Sequence, residues 1–166
     1  MNKRRVMGLA GLVALCAFNV GAQAGDPAQV DRGRYLVTIA GCNDCHTPGF
    51  MEKNLAVPEK DWLRGSAVGF QGPWGTTYAA NLRRVLAGLT AAQWVEYARL
   101  QRRPPMPSYA LQRMSSDDLQ AIYAYVRSLG DPGDAAPAYV PPGGVVTTPY
   151  LVMVPQGAEQ AAANAR

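Results

Sequence analysis

The stretch GCNDCHTPG, residues 41–49, decides how the chain is read. It holds Cys42 and Cys45, followed at once by His46, the only histidine among 166 residues. A thioredoxin-like dithiol follows a strand and opens a helix, whose N-terminus lowers the thiol pKa. Here the motif follows a helical pattern and its glycine stop, which is the wrong context. A structural zinc site needs four ligands. Asp44 is the nearest candidate for the fourth, and it lies inside the same tight turn.

The chain opens MNKRRVMGLAGLVALCAFNVGAQAGDP. Lys3, Arg4 and Arg5 form a basic start, residues 6–20 an apolar run, and Ala22-Gln23-Ala24 a small-x-small site. Together they read as a secretory signal peptide over residues 1–24, cleaved after Ala24. An uncleaved anchor would need a longer apolar run. A lipid on Cys16 is disfavoured by the bulky Leu15 before it. Cleavage leaves Cys42 and Cys45 as the only cysteines, too few for a disulfide-stapled exported domain.

Behind an export signal, Cys-x-x-Cys-His reads as covalent haem attachment: one haem c, thioether-linked through Cys42 and Cys45, with His46 as proximal iron ligand. With one histidine, the second axial ligand must come from another residue type or from water. The methionines beyond residue 24 are Met51, Met106, Met114 and Met153. Met106 sits in RRPPMPSY, with prolines on both sides that restrict its backbone. Met51 is close to the motif, Met114 lies at a helix entrance and Met153 in the tail. Met106 is therefore the candidate distal ligand.

Three amphipathic patterns predict helices. The first covers residues 27–40, with Val30, Gly33, Leu36 or Val37, and Ala40 on one face and Gly41 as its stop. The second covers 91–102, entered by a Thr90/Gln93 capping box and ended by Pro104-Pro105. The third covers 116–129, capped by Ser115, with a stripe of Leu119, Ile122, Tyr123, Val126 and Leu129. Residues 47–84 read as a long, Gly- and Pro-rich loop that a haem could organise. Beyond Gly130 runs a Pro/Gly-rich extension, residues 131–166, with a disordered end expected. Within it VVTTPYLVMV is strand-like, and Pro149 confines it to an edge or an extended arm.

These stretches, in this order, resemble the class I c-type cytochromes: RGRYLVTIAGCNDCHTPG, FQGPWGTTYAANL and PPMPSYALQRMSSDDLQAIYAYVRSL. They are most similar to bacterial monohaem cytochromes that serve periplasmic dehydrogenases, alone or as subunits. The resemblance covers about residues 30–129. It implies an all-α class I cytochrome c fold over residues 25–130, with haem-wrapping loops and first and last helices that cross near the haem. It carries over Cys42 and Cys45 as anchors, His46 as proximal ligand and Met106 as distal ligand. Trp74, Tyr78, Asn81, Arg83 and Trp94 are candidates for the haem face or its propionates. NLRRVLAGLT, from Asn81 to Thr90, is shorter than the corresponding loop of the family. Gly33 lets the first helix approach Tyr123 or Val126 of the last.

Removing Lys3, Arg4 and Arg5 from 16 basic residues leaves 13 against 12 acidic ones, so nucleic acid is excluded as a natural partner. Seven arginines (Arg64, Arg83, Arg84, Arg99, Arg102, Arg103 and Arg113) share the middle of the chain with a single acid, Glu96. That asymmetry points to a redox partner with an acidic docking face. The expected role is a periplasmic electron carrier rather than an enzyme. The alternatives are a subunit fixed to a dehydrogenase, or a haem enzyme or sensor with a labile sixth ligand. A haem peroxidase would need a distal acid-base residue, normally histidine, and none remains.

Overall fold

The computed structural model describes residues 26–53, 56–155 and 157. The expected signal peptide, its expected cleavage site and the far end of the extension lie outside the described residues. Among those described there are six α-helices: α1 (Pro27–Ile39), α2 (Cys42–His46), α3 (Leu82–Ala87), α4 (Ala91–Ala98), α5 (Ser108–Arg113) and α6 (Ser116–Ser128). Three strands accompany them: β1 (Gly69–Gly72), β2 (Gly75–Tyr78) and β3 (Tyr150–Val152). The all-α expectation is thereby corrected, since helices dominate but a small sheet is built in.

Local signals explain the helix ends. The Asp26 side chain accepts from Ala28 N at the start of α1, and Pro27 occupies a first-turn position where its missing N–H costs nothing. Gly41, at φ 66°, turns the chain out of α1. Thr90 and Gln93 form the reciprocal capping box of α4. Ser115 accepts from Asp118 N to open α6. Helix α4 is shorter than expected. It stops at Ala98, and the Arg102 guanidinium donates to the Tyr97 carbonyl while lying 4.0 Å from the centre of the Tyr97 ring.

Helices α1 and α6 form the main crossing, with α4 packed on α6. Leu36, Val37, Trp94, Leu119, Ile122, Tyr125 and Val126 are buried together there. Gly33 is the contact point. A Cβ on it would lie 2.0 Å from Ala121 O and 2.7 Å from Tyr125 Cβ. The close approach therefore meets Ala121 and Tyr125, not Tyr123. The Tyr123 hydroxyl instead donates to Leu89 O at 2.8 Å, beyond the end of α3.

Residues 47–84, read above as loop, carry structure of their own. Phe50 and Trp62 meet edge to face at 5.8 Å, and Trp62 Nε1 donates to Val57 O. Strands β1 and β2 form an antiparallel hairpin closed by Pro73-Trp74, with Gly72 opposite Gly75. Asn81 caps α3, its Oδ1 accepting from Arg84 N. The extension then adds to both edges of the hairpin. Val140 exchanges two backbone hydrogen bonds with Thr76 of β2, at 2.8 and 3.0 Å. Further on, β3 pairs in parallel with β1, giving the order β2-β1-β3. The edge position expected for this segment is what the sheet shows.

Tyr125 links the helical core to the loop by donating to Glu59 Oε1 at 2.8 Å. Burial first, then that hydrogen bond and the carboxylate's charge, raises the phenol well above its usual pKa near 10. A raised folded-state pKa means that the native chain keeps a proton which the unfolded chain loses from about pH 10 upward. The stabilisation is complete below pH 10 and declines as alkalinity rises. Thermal melts from pH 8 to 11 should show a falling melting temperature, with a smaller fall in Tyr125→Phe. Equal slopes in the two proteins would exclude Tyr125 as the source.

Candidate haem-attachment site

Helix α2 is a single turn between Gly41 and Thr47, so its position is set by its surroundings. The Leu63 N–H donates to Thr47 Oγ1 at 2.8 Å, and that hydroxyl donates to Asn43 Oδ1 at 2.7 Å. Leu63 is fully buried with φ 61°, a left-handed conformation that a branched side chain rarely adopts. Gly65 N donates to the His46 carbonyl at 2.7 Å. These bonds fasten the Cys-x-x-Cys-His turn to residues 63–65.

His46 is buried. Its Nδ1 lies 2.7 Å from Ala80 O, and since a carbonyl can only accept, Nδ1 carries the proton. Nε2 is thereby the nitrogen with a lone pair, and it has no hydrogen-bond partner among the described residues. Burial holds the imidazole pKa below its usual value, outweighing the Ala80 bond. A neutral ring with a fixed tautomer is what iron ligation requires.

Cys42 and Cys45 are both free thiols, half-buried on the same turn. Burial, with the Asp44 charge second, pushes the Cys42 thiol up to about 11, and the same two causes raise Cys45. A redox dithiol needs the opposite shift. No cluster of three or more His, Cys, Asp or Glu side chains suited to a metal ion occurs among the described residues. The donor set therefore fits haem c: two thiols for thioether bonds, and beside them an imidazole presenting Nε2.

Met106 is half-buried in a turn between α4 and α5. Thr77 Oγ1 of β2 donates to Pro104 O at 2.8 Å, and Arg102 N donates to the buried Ser108 Oγ at 2.8 Å. The turn is thus braced on both sides of the methionine. Of the others, Met51 and Met153 are exposed and Met114 packs against the helical core.

The remaining candidates are engaged elsewhere. Trp94 is buried between α4 and α6, its Nε1 donating to Leu119 O at 2.8 Å. Asn81 Nδ2 donates to Pro132 O and Asp134 O, fastening the start of the extension. The Tyr78 hydroxyl pairs with Thr148 Oγ1 at 2.7 Å, and Trp74 Nε1 lies 3.4 Å from Phe70 O. Arg83 is buried and donates to the carbonyls of Glu59, Lys60, Trp62 and Leu129. Burial lowers its pKa from a very high starting value. The carbonyl partner of His46, Ala80 O, lies 34 positions away in the chain and is supplied by folding. Thr77 gave no signal, because a strand threonine is ordinary until a distant loop meets it.

The family model for cytochrome c matches residues 30–130. The chain belongs to the cytochrome c family. The cytochrome is 28% identical over 142 residues to the fructose dehydrogenase cytochrome subunit of Gluconobacter japonicus, covering 75% of this chain and 27% of that protein. It is 30% identical over 132 residues to the gluconate 2-dehydrogenase cytochrome c subunit of Pantoea cypripedii, covering 69% and 29% respectively. It is also 28% identical over 131 residues to the alcohol dehydrogenase (quinone) cytochrome c subunit of Gluconobacter oxydans, covering 70% and 25%. The cytochrome thus spans little more than a quarter of the length of these relatives. No solved structure matches it. Membership of this family makes it an electron-transfer haem protein. Among the described residues, no helix is long and apolar enough to cross a membrane.

Proposed function

We propose that this cytochrome is a periplasmic one-electron carrier with a single haem c, anchored by Cys42 and Cys45 and ligated by His46 and Met106. The observation that carries the reading is the His46–Ala80 bond, which reserves Nε2 for iron. When bound, the haem supplies an Fe(III)/Fe(II) couple whose potential His/Met ligation raises. The protein's part is to hold two neutral ligands in fixed positions and to exclude water from the imidazole. Arg103 and Arg113, both exposed, supply positive charge for meeting an acidic redox partner. Arg83 is buried among backbone carbonyls, so its guanidinium is not presented at the surface for docking.

Visible spectra of the oxidised and reduced protein test the reading. Low-spin haem with a methionine–iron charge-transfer band is expected. Met106→Ala should abolish that band and lower the midpoint potential by on the order of 100 mV or more, within the roughly 0.8 V that axial ligation spans. An intact band in that variant would assign the ligand to another residue.

A second reading, a subunit held permanently by a dehydrogenase, is favoured by the extension. Residues 135–157 contain no charged side chain. Leu151 and Val152 of β3 are each more than half exposed. An uncharged apolar edge strand suits a lasting interface better than a transient one. Co-purification with a dehydrogenase through high salt would favour this assembly; salt-sensitive binding would favour the free carrier.

A further inference from the structure

The extension reaches the Met106 turn by two routes. The first is direct. The Arg103 guanidinium lies 4.0 Å from the centre of the Tyr139 ring. Tyr139 is itself fixed, its hydroxyl donating to Trp74 O at 2.8 Å and its neighbour Val140 bonded to Thr76. The second route runs through the hairpin. With Thr76 held by Val140, the adjacent Thr77 donates its hydroxyl to Pro104 O. Arg103 and Pro104 lie immediately upstream of Pro105 and Met106, so both contacts fall on the strand of chain that delivers the thioether.

We propose that the extension around Tyr139 is a clamp on the Met106 turn, and that Tyr139, Arg103 and Thr77 are positioning residues for the distal ligand. The proposal rests on Met106 being that ligand. Without the clamp, the turn has more conformations to give up each time the sulfur binds iron, so the Met-off state gains population. Methionine ligands are weak, and a small change in loop entropy moves that equilibrium measurably.

Exogenous imidazole reads it out on the full-length ferric protein, because it occupies the iron only when Met106 is off. Its apparent Kd is inversely proportional to the Met-off fraction, so more Met-off protein means tighter binding. Met106→Ala sets the tight-binding limit. Tyr139→Ala and Thr77→Val should each tighten imidazole binding by roughly threefold to tenfold, the scale of one exposed cation–π contact or one hydrogen bond. Arg103→Gln should match Tyr139→Ala, and combining those two should add little, since they share one contact. Tyr139→Phe keeps the ring beneath Arg103 and should fall between wild type and Tyr139→Ala; it also serves if Tyr139→Ala does not fold. Imidazole affinity at the wild-type value in Tyr139→Ala (or Tyr139→Phe) and in Thr77→Val would overturn the clamp. A wild-type protein lacking the methionine–iron band would instead overturn the ligand assignment beneath it.

Discussion

Cys42→Ala combined with Cys45→Ala is expected to give a colourless and largely unfolded chain. The two thiols are the covalent anchors proposed above, and alanine cannot replace either bond. The consequence extends past the cofactor, because this molecule has one modest helical core. That core is built from α1, α3, α4 and α6, with Trp62 and Leu63 reaching into it. The single-turn α2, the Met106 turn and the hairpin lie outside its centre. Domains of this size bury a limited fraction of their surface and gain much from a large apolar group at their middle. Losing the haem also frees the His46 and Met106 segments from a common partner. Far-UV circular dichroism with a thermal melt checks the outcome. A sharp, cooperative transition in the haem-free double variant would show that the helices suffice by themselves.

Gly33→Ala should be the most damaging single-methyl addition in the helical core. The new Cβ would lie 2.0 Å from Ala121 O and 2.6 Å from Ala121 C, both main-chain atoms of the opposing helix. No side-chain rotation relieves that overlap, so α1 and α6 must separate. Separation loosens Leu36, Val37, Ile122 and Tyr125 together. Overpacking of this kind costs about 3 kcal/mol or more when backbone has to move. For a domain near 100 residues that lowers the melting temperature by more than about 10 °C. The holo-protein's thermal unfolding, followed at the haem absorbance, gives the number. A melting temperature within a degree or two of wild type would mean that the crossing has slack which the packing does not suggest.

Much of this was legible in the sequence because short-range physics wrote it. The Cys-x-x-Cys-His motif, the Thr90/Gln93 box, the Ser115 cap and the Gly41 stop each depend on neighbours within a turn or two. The crossing at Gly33 was legible too, since only glycine permits so close an approach; its partners Ala121 and Tyr125 were not, because α6 presents a broad apolar face. Helix α3 was missed although Asn81 and Gly88 bracket it with Leu82, Val85 and Leu86 between them. A six-residue helix offers too little periodicity to stand out from a Gly- and Pro-rich background. The hairpin was missed for a related reason: four-residue strands rich in glycine carry no alternation. Its stability comes from the extension on both flanks, more than 60 residues away in the chain.

The four carbonyls around Arg83 belong to peptide groups, which every amino acid brings whatever its side chain. Lys60 and Leu129 can therefore change identity across evolution without disturbing the junction they help to form, while the guanidinium cannot. A lysine has one nitrogen and would reach a fraction of those acceptors. Homologues that keep this junction should show variable residues surrounding an invariant arginine, a signature easily misread as a binding site on the strength of its charge.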